Sequence, residues 1–320
     1  MIGAPPLRGV FSAAFTAFGP DGSVDLRRTA AHARGLIAAG CDGIASLGTT
    51  GEANGLSLAE RKAVLEAVIA GGVDPVRIIP GTGLCSWPET VELTCHARAC
   101  GVERVLLLPP FYYPTPSEAG LIDHFCRVID GCADPGLRVL LYHIPQNSDV
   151  PITHGLLSAL MDRYPGTIVG IKDSGGDINH MLGLLRAFPE LAVFAGADHL
   201  TGPLLRIGGA GCITATSNLI APLLADLYRR ITGGEKGGAT SRVEASRVED
   251  RIGAARALFQ QWPQIPALKA AHALRTGEPE WALVRAPMQM LTLGQQAEMA
   301  QAMQAAGLIA ADEKKKDWAI

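Results

Sequence analysis

The residues best suited to covalent chemistry lie in the string GIKDSGGD, residues 170–177. Lys172 ends an apolar run and is followed by Asp173 and three small turn-formers, Ser174, Gly175 and Gly176. A free lysine amine, with a pKa of about 10.4, is neutral roughly once in a few thousand at pH 7. Desolvation at the rim of an apolar strand favours the neutral form. A neutral amine is the nucleophile of Schiff-base chemistry with ketones and aldehydes. The plain alternative is a solvated loop in which Lys172 pairs with Asp173 or Asp177.

Two further places carry complementary groups. In LGTTGEANGL, residues 47–56, Gly48 and Gly51 would permit a tight turn. The amides and hydroxyls of Thr49 and Thr50 would then converge on a carboxylate. A plain strand-to-helix turn with threonine caps explains that string equally well. In YHIPQNS, residues 142–148, Tyr142 ends another apolar run, and a phenol there can donate and accept protons. A structural tyrosine capping the core is the competing account.

These groups need a scaffold that gathers strand ends. Eight short apolar runs alternate with segments of helical period: 9–18, 43–47, 76–81, 104–108, 138–143, 168–172, 192–195 and 211–215. Ser57 with Glu60 three residues on predicts a capping box, and Ser117 with Gly131 predicts the start and stop of another helix. Continuously apolar strands, each followed by a helix, predict an α/β fold of the (β/α)8 TIM-barrel type over 1–225, with function at the C-terminal strand ends. An open doubly wound sheet is the runner-up, but no glycine fingerprint follows the first strand. Residues 226–320 read as a C-terminal helical region packed on the barrel, after a glycine-rich connection in TGGEKGGATSRVEAS. The charged ending ADEKKKDWAI reads as frayed, with Trp318 and Ile320 available to dock on a neighbour.

Composition narrows the partners. With 48% hydrophobic and 18% charged residues, the chain has ample material for a large core. A net charge of −3 with no basic, aromatic-interleaved stripe argues against nucleic acid, and no apolar run has the roughly 20 residues of a membrane span. Arg8 before GVFSAAFTAFG superficially suggests a signal peptide, but Pro5 and Pro6 before it and PDGS after it argue against one. Seven scattered cysteines without a CxxC pair read as reduced and cytoplasmic. Cys95, His96 and Cys100 come nearest to a zinc set, yet their surroundings read as an ordinary helix. No metal is expected.

The strings GTTGE, LLLPPFYYPTPSEAGL, LYHIP, GIKDSGGD and GAGCITATSN, in this order over about the first 220 residues, resemble the dihydrodipicolinate synthase / N-acetylneuraminate lyase family of class I aldolases. The resemblance implies that Lys172 forms a Schiff base with pyruvate or a related 2-oxo acid, so that no separate cofactor is required. It further implies that Tyr142 is the general acid and base, that Gly48, Thr49 and Thr50 hold the carboxylate, and that Thr49 relays protons to Tyr142. Tyr112 matches a tyrosine that family members extend into the neighbouring subunit, and a slip of one residue would exchange it for Tyr113. Ile213 matches the residue behind the pyruvate moiety, and Gly196 and Asp198 match the place that contacts the second substrate. Homotetramers built from tight dimers are the family expectation.

The departure lies in YHIPQNS, where dihydrodipicolinate synthases usually carry YN-x-P-x-R-T. Asn147 stands in place of an arginine that forks onto a carboxylate, and His143 replaces the asparagine. The expected activity is therefore a Schiff-base aldolase or dehydratase acting on pyruvate plus an aldehyde, or on a 2-oxo-3-deoxy sugar acid. The alternatives are 4-hydroxy-tetrahydrodipicolinate synthase and, from another class, an inactive 2-oxo-acid-binding regulatory barrel.

Overall fold

The computed structural model describes residues 7–233 and 239–309. Seven strands, β1 (Gly9–Ala13), β2 (Gly43–Ala45), β3 (Arg104–Leu107), β4 (Arg138–His143), β5 (Ile168–Asp173), β6 (Ala192–Ala195) and β7 (Gly211–Thr214), form one parallel sheet in the order β2-β1-β7-β6-β5-β4-β3. The expected strand at 76–81 is not formed as such. Asp74 caps a short 3-10 turn, Pro75–Arg77, and Pro80 has no amide to give to a ladder.

That segment still bridges the gap with isolated bonds. Ile79 N–H donates to Ile44 O and Gly81 N–H to Ser46 O, both at 2.8 Å, and on the other side Leu106 N–H donates to Pro80 O at 2.9 Å. The sheet thus curls into a nearly closed barrel, a (β/α)8-type fold whose eighth position is irregular extended chain.

Burial on both faces explains why the strand runs are continuously apolar. Phe11, Ala45, Ile79, Leu106, Leu140, Tyr142, Phe194 and Ile213 fill the interior as one cluster. Val10, Val105, Val139, Leu141, Val193 and Cys212 face outward into a second cluster shared with the helices. Truncating one such leucine to alanine costs about 2–5 kcal/mol.

Helix Leu58–Ala70 starts on Ser57 with the reciprocal Glu60 capping box. Helix Glu118–Cys132 starts on Ser117 but runs past Gly131, ending where Ala133 turns left-handed at φ 48. Helix Ser217–Thr232 crosses residue 225 and kinks at Ile220, just before Pro222. Helices Ala239–Phe259, Gln264–Thr276 and Leu293–Ala305 complete the C-terminal part, and Met299 and Met303 join the outer cluster of the barrel. The glycine-rich residues 234–238 and the tail with Trp318 and Ile320 lie outside the described residues. Among the described residues, no helix is long and apolar enough to cross a membrane.

Candidate active site

The register of β4 on β5 sets Tyr142 directly beside Lys172. Strand alternation turns both inward at the C-terminal end of the barrel. Lys172 is 4% exposed, and its Nζ lies 4.2 Å from the centroid of the Tyr142 ring. Tyr142 Oη is 3.5 Å from Thr49 Oγ1. Burial pushes the Tyr142 phenol up, but the Lys172 charge and hydrogen bonds from Thr49, Lys172 and Ser174 outweigh it and hold the pKa below its ordinary value.

Lys172 forms no ion pair with either neighbouring acid. Asp173 faces the outer side of the wall, accepting from Gly175 N–H at 2.9 Å and holding His180 Nδ1 at 2.7 Å. Asp177 caps the helix Ile178–Ala187 by accepting from Asn179 N–H. The solvated-loop account of Lys172 therefore fails.

The turn after β2 strains its backbone at residues other than the glycines that sequence reasoning singled out. Leu47 and Glu52 take positive φ, 57 and 56, whereas Gly48 and Gly51 do not. Such positions cost roughly 1–3 kcal/mol each and persist only where surrounding structure holds them. Here Glu52 N–H donates to Thr49 O and Ala53 N–H to Gly48 O. The amides of Thr49 and Thr50 donate to no protein acceptor among the described residues. Thr50 is buried and Thr49 half-buried beside the phenol.

What holds this turn comes from the far end of the chain. Lys269, wholly buried on helix Gln264–Thr276, donates to Glu52 Oε1 at 2.6 Å and to Thr16 O at 2.9 Å. Arg285 N–H donates to Glu52 Oε2 at 2.9 Å. Burial draws the Lys269 pKa down while the Glu52 charge opposes it. Sequence reasoning missed this clamp because its partners are 217 residues apart. A lysine amid the apolar residues of IPALKAAHAL was its one visible sign.

Three more groups bear on the site. Ser174 Oγ lies 1.9 Å from where a Cβ on Gly196 would sit, so Gly196 leaves room for a hydroxyl above the lysine. Gln146 donates to Ser174 O at 2.8 Å and so pins that loop. Arg61 is buried with Nε and Nη1 unpartnered among the described residues, and burial lowers its pKa to about 10 against the opposing Glu89 charge. It shares a cavity of about 20 Å³ with Thr49, Asn54 and Tyr142.

The remaining expected site residues are distributed unevenly. Ile213 lies in the interior cluster with Tyr142. Asp198 is buried, with Oδ2 3.3 Å from Arg256 Nη1 on helix Ala239–Phe259 and Oδ1 unpartnered among the described residues. Asn147 is exposed on the turn Pro145–Ser148 that follows β4. Tyr112 and Tyr113 stand 75% and 72% exposed, packed edge to face at 5.3 Å.

His143, Asp173 and His180 hold three metal-ligand-type atoms within 4.8 Å of one another. However, His143 Nδ1 accepts from Ile152 N–H at 3.1 Å, which leaves the proton of the neutral ring on Nε2 and no lone pair for an ion. The three residues are a hydrogen-bonded and stacked cluster, with the two imidazoles 4.5 Å apart. His96 bonds Glu66 at 2.8 Å instead of joining Cys95 and Cys100 in a zinc set. A cavity of about 830 Å³ opens at the opposite end of the barrel around Arg8, Arg104 and Arg138. Reactive groups, not volume, locate the site at the C-terminal end.

Comparison with known proteins agrees with this fold. The model of the dihydrodipicolinate synthetase family matches residues 6–306. An uncharacterized DapA-like lyase of Chloroflexus aurantiacus is 36% identical over 277 residues, covering 86% of this chain and 89% of the relative. A 4-hydroxy-tetrahydrodipicolinate synthase of Neisseria meningitidis is 33% identical over 303 residues, covering 94% and 99%. Among solved structures, YagE of E. coli K12, described as a prophage protein of the dihydrodipicolinic acid synthase family in complex with pyruvate, superposes with a TM-score of 0.85 at 29% identity, covering 94% and 99%. Fold and relatives together define a barrel lyase of the class I aldolase type. The chain belongs to the dihydrodipicolinate synthase family.

Proposed function

We propose that this chain is a Schiff-base lyase that joins pyruvate to an aldehyde or cleaves or dehydrates a 2-oxo-3-deoxy sugar acid. The observation that carries this reading is the buried Lys172, free of any carboxylate partner and set 4.2 Å from the Tyr142 ring, whose phenol meets Thr49. The lysine amine adds to the 2-oxo carbon, and loss of water gives an iminium. Loss of a proton from C3 gives the enamine that attacks the aldehyde, and water then releases the product and restores the amine.

Tyr142 moves the protons, and the Lys172 charge and the hydroxyl contacts that lower its pKa favour that role. The free amides of Thr49 and Thr50 bind the 2-oxo acid's carboxylate, and the positive field of Arg61 behind the turn adds to that preference. Ile213 backs the methyl end of pyruvate. Gly196, Asp198 and the exposed Asn147 are assigned to the second substrate, although the Asp198 carboxylate itself is turned to Arg256 of the helix Ala239–Phe259. The exposed Tyr112 or Tyr113 completes the relay of a neighbouring subunit in a homo-oligomer, a dimer or tetramer. No metal or organic cofactor takes part, because the lysine itself is the electron sink. The cytoplasm, where thiols stay reduced, is the assigned compartment.

The same Lys172 chemistry would serve 4-hydroxy-tetrahydrodipicolinate synthase activity, the activity for which the Neisseria relative is named. Asn147 disfavours it, since a neutral amide cannot fork onto a second carboxylate as arginine does.

Incubation with pyruvate, reduction with borohydride and peptide mapping test the proposal. A reduced pyruvyl adduct on Lys172 is expected, and its absence overturns the Schiff-base reading. Turnover of neutral or hydroxylated aldehydes in preference to aspartate semialdehyde is expected next. The reverse preference assigns the synthase activity, and an adduct without turnover of any substrate assigns the inactive binding barrel.

A further inference from the structure

Two of the seven cysteines stand apart from the rest. Cys95, one turn from the end of helix Trp87–Ala99, and Cys132, the last residue of helix Glu118–Cys132, place their Sγ atoms 2.9 Å apart. A disulfide bond is about 2.04 Å long, so closure needs only about 0.9 Å of further approach. By contrast, Cys100 turns its sulfur to His96 Nε2 at 3.7 Å.

Packing on both sides of the pair holds the sulfurs together. A Cβ on Gly131 would come within 2.8 Å of Val91 Cγ2, so this glycine allows the two helices to approach beside Cys132. On the other side, Arg98 Nε donates to Asp134 Oδ2 at 2.6 Å and Arg98 Nη1 to Val102 O at 2.8 Å, tying the two helix ends. Both thiols are half-buried, open enough for a small reagent.

We propose that Cys95 and Cys132 form a redox site, a dithiol that closes to a disulfide on meeting a low-molecular-weight disulfide such as oxidised glutathione. Burial, together with the hydrogen bond and charge of Cys95, pushes the Cys132 thiol up to about 12, and we assign the first attack to Cys95. Cys95, as thiolate, displaces one glutathione and forms a mixed disulfide. Cys132 then loses its proton, and its sulfur displaces the second glutathione. Two protein thiols and one small disulfide become one protein disulfide and two small thiols, with two electrons passed to the reagent. The bond encloses β3 and the loop bearing Tyr112 and Tyr113, and so fixes the base of the segment that presents them. Dithiols of this kind in reducing compartments are typically transient and redox-sensing.

The test uses the full-length protein exposed to oxidised glutathione. Thiols titrated in denaturant should fall from seven to five. Tryptic peptides 78–98 and 128–138 should be joined, with fragmentation separating Cys95 from Cys85, which shares its peptide. The thermal midpoint should rise by a few degrees on oxidation and return with dithiothreitol. C132S should stop at a glutathione adduct on Cys95, with no cross-link and no shift in midpoint. Seven thiols surviving exposure, or a cross-link through any other cysteine, overturns the proposal. If C132S does not fold, the wild-type peptide map decides alone.

Discussion

Two lysines lie buried among the described residues, and their surroundings are opposite. Lys269 is sealed at 0% exposure, with its charge on Glu52 and a further bond to Thr16 O. Lys172, at 4% exposure, has an aromatic face and a hydroxyl network but no carboxylate. A buried ammonium that is paired and hydrogen-bonded organises structure. One left without a counter-charge, beside a phenol and at the end of the strands, is placed to react. The nearest acid to Lys172 in sequence, Asp173, is turned through the barrel wall and given to His180. Strand alternation alone separates the reactive face from the satisfied one.

Methionine at each position sharpens the contrast, because it keeps volume and removes charge. K172M should lower turnover by at least about 10⁴-fold and abolish the trapped adduct, with the urea midpoint equal to or above wild type. K269M should do the reverse. It strands Glu52 in the interior at a cost of about 3–5 kcal/mol in urea unfolding, while the protein that remains folded still traps pyruvate. The double variant K269M/E52Q should recover part of that loss, since the two sites share one interaction. Equal stability losses in the two single variants would erase the distinction between the lysines.

The smallest effect is electrostatic. In wild type the Tyr142 phenol should titrate below its ordinary value, as read by ultraviolet difference absorbance. In K172M the largest lowering influence is gone and burial dominates, so the titration should move upward in pH. T49V removes only one hydrogen bond and should move it upward by less. A downward shift in either variant contradicts the assigned field.

Much of this contrast was legible in the sequence, though unevenly. Lys172 and Tyr142 announced themselves as polar residues ending apolar strands, and parallel pairing of neighbouring strands sufficed to bring them together. The run VRIIPG had strand composition, but Pro75 and Pro80 override β-propensity by removing donors, so the chain bridges there without forming a ladder. GTTGE was read correctly as a turn but with its strain misplaced, because Leu47 and the clamped Glu52 take conformations that local rules assign to glycine. Ser174, Arg61 and Lys269 stayed hidden since their meaning depends on partners, or missing partners, far along the chain.

The Glu52–Lys269 clamp also bears on the order in which the protein is made. Residue 269 leaves the ribosome 217 residues after residue 52, roughly 10–40 s later at ordinary synthesis rates. By the end of that interval all seven strands, the last of them Gly211–Thr214, have been made, yet the Glu52 carboxylate still has no lysine to neutralise it. The turn therefore settles last, and a chain released early would hold Lys172 and Tyr142 in register beneath an unfinished mouth. Reactivity is in this way deferred until the polypeptide is nearly complete.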